Sequence, residues 1–133
     1  MKPSNSELTC LKVRIMPACH ITLSETIPDL AERDITMIRD VVAASLRSRA
    51  WRLNRDDVVA RVQRASRIHM LGDMELEVFA QFDFGRFFSR DKRAQAISTA
   101  VSAALRVDCA TWINLAMVGY CRVNASGQIA FSS

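Results

Sequence analysis

The sequence predicts an α+β domain made of two β-α-β units, with a four-stranded mixed sheet and two helices on one face. Three observations lead there. Strand, helix and strand recur twice in the same order along the 133 residues. The halves also match residue by residue. Asp40-Val41-Val42-Ala43-Ala44-Ser45-Leu46 resembles Thr99-Ala100-Val101-Ser102-Ala103-Ala104-Leu105, and at the same offset Ile38 falls on Ile97 and Leu23 on Phe82. Finally, half of the residues are apolar, enough for one core in a chain that buries roughly two-thirds of its surface on folding.

The first strand is expected over 17–23, with Pro17 at its head. Proline cannot donate a ladder hydrogen bond, so it suits the first residue of a strand and marks a boundary at Met16-Pro17. Residues 24–28 form a loop. A helix is expected from Asp29, an N-cap with Glu32 three residues on, and Ile35, Ile38, Val42 and Leu46 form its apolar stripe. Arg47, Arg49 and Arg52 fall at its C-terminal end, where cations suit the helix dipole. A turn over 54–57 leads to a second strand over 58–63, and 66–73 is a loop with Gly72 as its turn. In the second half, 75–82 is a strand, 83–86 a loop and Ser89 the N-cap of a helix striped by Ala94, Ile97, Val101 and Leu105. A strand over 111–118 follows, and 120–131 adds a short edge strand. Crossovers of fixed hand make each half's strands parallel. Two helices cover one sheet face only, and the apolar residues of 75–82 and 111–118 are expected to spread over both faces, so that the uncovered face packs on other subunits. A ferredoxin-like ligand-binding domain has a similar element order.

The formal net charge is +4, and Lys2, Lys12 and Arg14 supply three of the basic groups before Met16. The rest is only mildly basic, which argues against a nucleic-acid partner and suits a small acidic ligand. Nearly all basic residues are Arg, whose planar fork fits carboxylates. Cys10, Cys19, Cys109 and Cys121 match no zinc or redox spacing, so free thiols in a reducing compartment are expected. No apolar run reaches the roughly 20 residues of a membrane span, and 1–15 lacks the apolar core of a signal peptide. The expectation is a cytoplasmic protein with no membrane partner. His20 and His69 join no metal-ligand cluster. Arg47, Arg49, Arg52 and Arg55 around Trp51 read as a solvated helix end, the other reading being a stacking surface for nucleic acid.

Met16-Pro17 followed by a strand, with about 117 residues after Met16, resembles the tautomerase superfamily. Gly85-Arg86 leading through Ser89-Arg90 into the second helix is similar to the approach seen in 5-carboxymethyl-2-hydroxymuconate isomerase. Leu105-Arg106-Val107, Trp112-Ile113-Asn114 and Val123-Asn124 are similar to the C-terminal third of macrophage migration inhibitory factor. The likeness covers nearly all of 17–131. It implies a homotrimer with an active site at each subunit interface and no metal or organic cofactor. The activity it implies is cofactor-independent isomerisation of enol and keto forms of a 2-hydroxydienoate or α-keto acid. Pro17 is then the catalytic residue, with 1–15 an extension or a mis-assigned start and 16–133 the domain.

The residue types fit that chemistry. A buried amino-terminal proline amine near neutrality can take the enol proton and return it to carbon. Arg61 on the second strand is the expected carboxylate binder, although the family position falls on Val59, and both point to one face. Trp112 and Asn114 match the family's interface aromatic and Asn, and are expected near a neighbouring subunit's Pro17. Residues 24–28 carry no cation where the family has an early-loop Arg, which argues against the usual diacid substrates. If Pro17 keeps its preceding residues, its nitrogen is an amide, and the fold then serves as a non-catalytic trimeric binding or interaction domain.

Overall fold

A computed structural model of the protein describes residues 17–47, 52–116, 120–123 and 129–132. The segment 1–16, Arg49, Trp51 and Asn124, all named above, lie outside the described residues. Four strands build the main sheet: β1 (Ala18–Ser24), β2 (Val59–Ala65), β3 (Met74–Gln81) and β4 (Cys109–Ala116). Helix α1 (Glu32–Leu46) links β1 to β2. The short α2 (Phe84–Phe88) and the long α3 (Arg90–Leu105) link β3 to β4. The strand order is β2-β1-β3-β4. β1 runs parallel to β2, β3 parallel to β4, and β1 antiparallel to β3. This is the α+β architecture of two β-α-β units expected from the repeat. Among the described residues the tail does not extend that sheet. β5 (Tyr120–Val123) and β6 (Ile129–Ser132) pair with each other, antiparallel, in a separate two-stranded sheet.

The core lies between the helices and one sheet face. Cys19, Ile21 and Leu23 of β1 and Met74, Leu76, Val78 and Ala80 of β3 are buried there against Ile38, Val42 and Leu46 of α1 and Ile97 and Val101 of α3. Ile38 with Ile97, and Val42 with Val101, hold equivalent buried positions, as the matched halves require. The match ends after the helices. A long connection containing a 3-10 turn (Arg55–Asp57) joins α1 to β2, whereas Arg106 to Asp108 suffice between α3 and β4. Arg106 closes α3 in the left-handed conformation, φ 54° and ψ 44°, a C-cap geometry usually filled by Gly.

Several local expectations are corrected. Asp29 is not the N-cap of α1. The helix follows Ala31, whose N–H donates to Asp34 Oδ2 at 3.1 Å, so the reach-back half of a capping box operates two residues later. Asp29 instead pairs with Arg64, whose Nη1 also donates to the carbonyls of Ser24 and Ile27. The loop expected over 83–86 is the start of α2, because Asp83 Oδ1 accepts from Arg86 N–H at 3.1 Å and nucleates a helical turn. Ser89 is the N-cap residue of α3, as expected, but its side chain makes no capping hydrogen bond. Its hydroxyl donates to the Gly85 carbonyl and accepts from Arg93 Nε.

The largest correction concerns the uncovered sheet face. β3 was expected to spread its apolar residues over both sides, and Leu76 and Phe79 do fall on opposite faces, but Phe79 is the one apolar side chain of the strand on the open side. Met74, Leu76, Val78 and Ala80 are buried, and Glu75, Glu77, Phe79 and Gln81 alternate with them. In β4, Cys109 and Ile113 face the core, while Trp112 and Asn114 are exposed. A two-residue period places every second side chain on one face, and the polar residues between the apolar ones decide the outcome. The open face is therefore mixed rather than apolar.

Candidate active site on the open sheet face

Pro17 lies immediately before β1 and is buried. Its carbonyl accepts the Val59 N–H at 3.0 Å, which joins the start of β1 to the start of β2. β3 and β4 end on this same side of the sheet, since Ala18 is opposite Phe79 and Phe79 opposite Asn114. Helix α1 brings a cation to the same corner. Arg39 Nε donates to the Val58 carbonyl at 2.9 Å, one residue from Pro17's partner. Nothing in the sequence pattern pointed to Arg39, because the contact spans nineteen positions.

The register sets two rows of side chains across the open face. Val59, Ala18, Phe79 and Asn114 form the row nearest Pro17. Arg61, His20, Glu77 and Trp112 form the next. Three of the four expected site residues, Arg61, Trp112 and Asn114, thus share one face, and Pro17 stands at the end where the rows begin. Arg61 is exposed and, among the described residues, has no hydrogen-bond or ion-pair partner. By contrast, Arg64 on the same strand is fully engaged with the loop after β1. Trp112 is 40% exposed.

Two residues of this face escaped the sequence reading. Glu77 accepts a hydrogen bond from Asn114 Nδ2 at 3.0 Å, so a predicted site residue is tied to a carboxylate. His20 stands between Arg61 and Glu77, its ring 5.0 Å from that of Phe79. The signal for both was their parity within a strand, which carries meaning only once the neighbouring strands and their register are known.

At the end of β3, Gln81 Oε1 is buried with no hydrogen-bond partner among the described residues. Such an atom is costly to leave unpaired. Arg86 is only 3% exposed. Its Nη1 donates to the Gln81 carbonyl and its Nε to the Leu46 carbonyl, each at 2.9 Å. Burial lowers the pKa of its guanidinium, Asp83 opposes that shift, and Arg93 adds to it. Arg86 therefore holds the end of β3 against the end of α1. The motif that suggested an approach to the second helix has a structural use here.

No family model matches the chain, and no curated protein matches it. Solved structures do. A fused 4-OT, a wild-type symmetric trimer, superposes with a TM-score of 0.51 at 16% identity, covering 74% of this chain and 85% of that one. The chain has the tautomerase fold. A second fused 4-OT, a wild-type asymmetric trimer, gives a TM-score of 0.48 at 14% identity over 74% of this chain and 85% of that one. Malonate semialdehyde decarboxylase gives 0.49 at 9% identity over 80% and 90%. Among the described residues no helix is long and apolar enough to cross a membrane.

Proposed function

We propose that residues 16–133 form a cofactor-independent tautomerase, processed to begin at Pro17, that interconverts the enol and keto forms of a small 2-hydroxydienoate or α-keto acid. The observation that carries this reading is a buried proline at the head of β1 in a tautomerase fold, beside an open face whose Arg61 has no hydrogen-bond or ion-pair partner among the described residues. A free α-amino group titrates near 8, and burial lowers that value by disfavouring the charged form. The neutral Pro17 amine removes the enol proton, and the resulting ammonium delivers it to carbon, so one group serves as base and acid. Arg61 holds the substrate carboxylate through its planar fork. The active assembly is a homotrimer, as the fused 4-OT neighbour is a trimer. Trp112 and Asn114 of one subunit then approach the Pro17 end of the next.

Two measurements test this. The Pro17-initiated protein is expected to ketonise phenylenolpyruvate or 2-hydroxymuconate above the buffer rate, and Pro17→Ala to lower kcat by about 10²–10⁴-fold, the usual worth of a general acid–base group. No rate above buffer with either substrate refutes the proposal. Sedimentation velocity on the same protein is expected to show a trimer, and a stable monomer removes the roles of Trp112 and Asn114 at a shared site.

One feature favours a second reading. Sixteen residues precede Pro17 in the sequence. While they remain attached its nitrogen is an amide and cannot act as a base, and the fold then serves as a trimeric binding domain. Intact-mass measurement of the protein from its source separates the two, since a chain starting at Met1 removes the catalytic role and one starting at Pro17 supports it.

A further inference from the structure

We infer that Glu77 biases the specificity of the open face, favouring monocarboxylates over ligands with a second carboxylate. The inference rests on the assignment above of Arg61 as the group that holds the ligand carboxylate. Arg61, His20, Glu77 and Trp112 stand in one row, each directly opposite the next. Arg61 is the only Lys or Arg on this face of the sheet among the described residues. Two strand spacings, roughly 10 Å, separate it from Glu77. A six-carbon acid anchored at Arg61 and lying over His20 therefore ends beside Glu77.

The other charged group of the face is accounted for. Glu75 Oε1 accepts the Leu71 N–H at 2.7 Å and is drawn toward the loop before β3. Glu77 is exposed, and Asn114 orients it through a single hydrogen bond. No Lys or Arg lies opposite Glu77, whose strand partners are His20 and Trp112. Phe79, against the His20 ring, and Trp112 flank it with apolar surface. The far end of the row thus favours an uncharged, unsaturated or aromatic tail and repels an anion.

The test uses sorbate and muconate, which share a six-carbon diene and differ by one carboxylate, with binding to the full-length chain measured by calorimetry. Two like charges about 5 Å apart in water interact by enough to change affinity about fourfold. The wild-type chain is expected to bind sorbate about fourfold more tightly than muconate. Glu77→Gln keeps an acceptor for Asn114 and is expected to abolish the preference. Raising the salt to about 1 M, where the Debye length is about 3 Å, is expected to narrow it in the wild type, which a purely steric role of Glu77 would not do. Binding of neither acid, or a preference that Glu77→Gln and salt leave unchanged, overturns the inference. Turnover of an enol acid with unchanged selectivity removes Glu77's role alone. Selectivity in the full-length chain without turnover by the Pro17-initiated protein removes the catalytic role of Pro17 alone.

Discussion

Replacing Arg86 by Met tests whether the two halves are joined at the end of the sheet by a buried cation. The change keeps an apolar stem and removes the guanidinium. The carbonyl of Leu46, in the last turn of α1, and that of Gln81, at the end of β3, each lose a donor at 2.9 Å. The last carbonyls of a helix have no partner within it, and the Leu46 side chain is fully buried, so water reaches its carbonyl poorly. Hydrogen bonds to charged groups contribute about 1.5–3 kcal/mol each. Two give about 3–6 kcal/mol before the cost of burying the cation is recovered, and that recovery brings the expected loss to about 3 kcal/mol. Neither nearby described cation replaces it: Arg93 Nη1 donates to the carbonyls of Ser45 and Arg47, and Arg47 Nε to that of Leu53. Urea unfolding at one fixed protein concentration reads the effect, because association also contributes to apparent stability. With m of about 2 kcal/mol/M, the midpoint is expected to fall by about 1.5 M with m unchanged. A fall of under about 0.3 M refutes the view that Arg86 joins α1 to β3.

Two further outcomes are expected. Gly72→Ala places a Cβ 2.7 Å from the Asp108 carbonyl oxygen, which also accepts the Met74 N–H at the start of β3. The overpacking is expected to cost about 1–3 kcal/mol in the same urea assay, whereas a neutral effect shows that the Asp108 loop yields freely. Burial pushes the thiols of Cys19 and Cys109 up from 9.0 to about 12 and about 11 respectively, helped at Cys19 by the neighbouring Cys109. The folded state keeps both protons where the unfolded chain has lost them, so this contribution to stability is complete below about pH 9 and declines as the pH rises toward 11, by about 1.4 kcal/mol per unit for each thiol. Unfolding free energy measured from pH 8 to 11 checks the sign, Cys19→Ala is expected to flatten the slope, and a pH-independent stability refutes the assignment.

Sequence alone determined the order of the main strands and the two long helices, and the fold class. Those follow from short-range periodicity: Ile38, Val42 and Leu46 recur at helical spacing whatever lies around them, and the repeat set which strands run parallel. Pro17 at the head of β1 was legible because proline's missing N–H is a local fact. Tertiary structure decided everything that depends on register. Whether Phe79 joins the core or the open face turns on pairing with β1 and β4, and a one-residue slip would exchange the faces. The same pairing brings Glu77 to Asn114 and seats His20 between Arg61 and Glu77. Arg39 beside the Pro17 corner and Arg86 between α1 and β3 were equally hidden, since each bonds a carbonyl far along the chain. A long flexible cation finds its partner only after the backbone has closed around it, so its place cannot be read from spacing in a linear sequence.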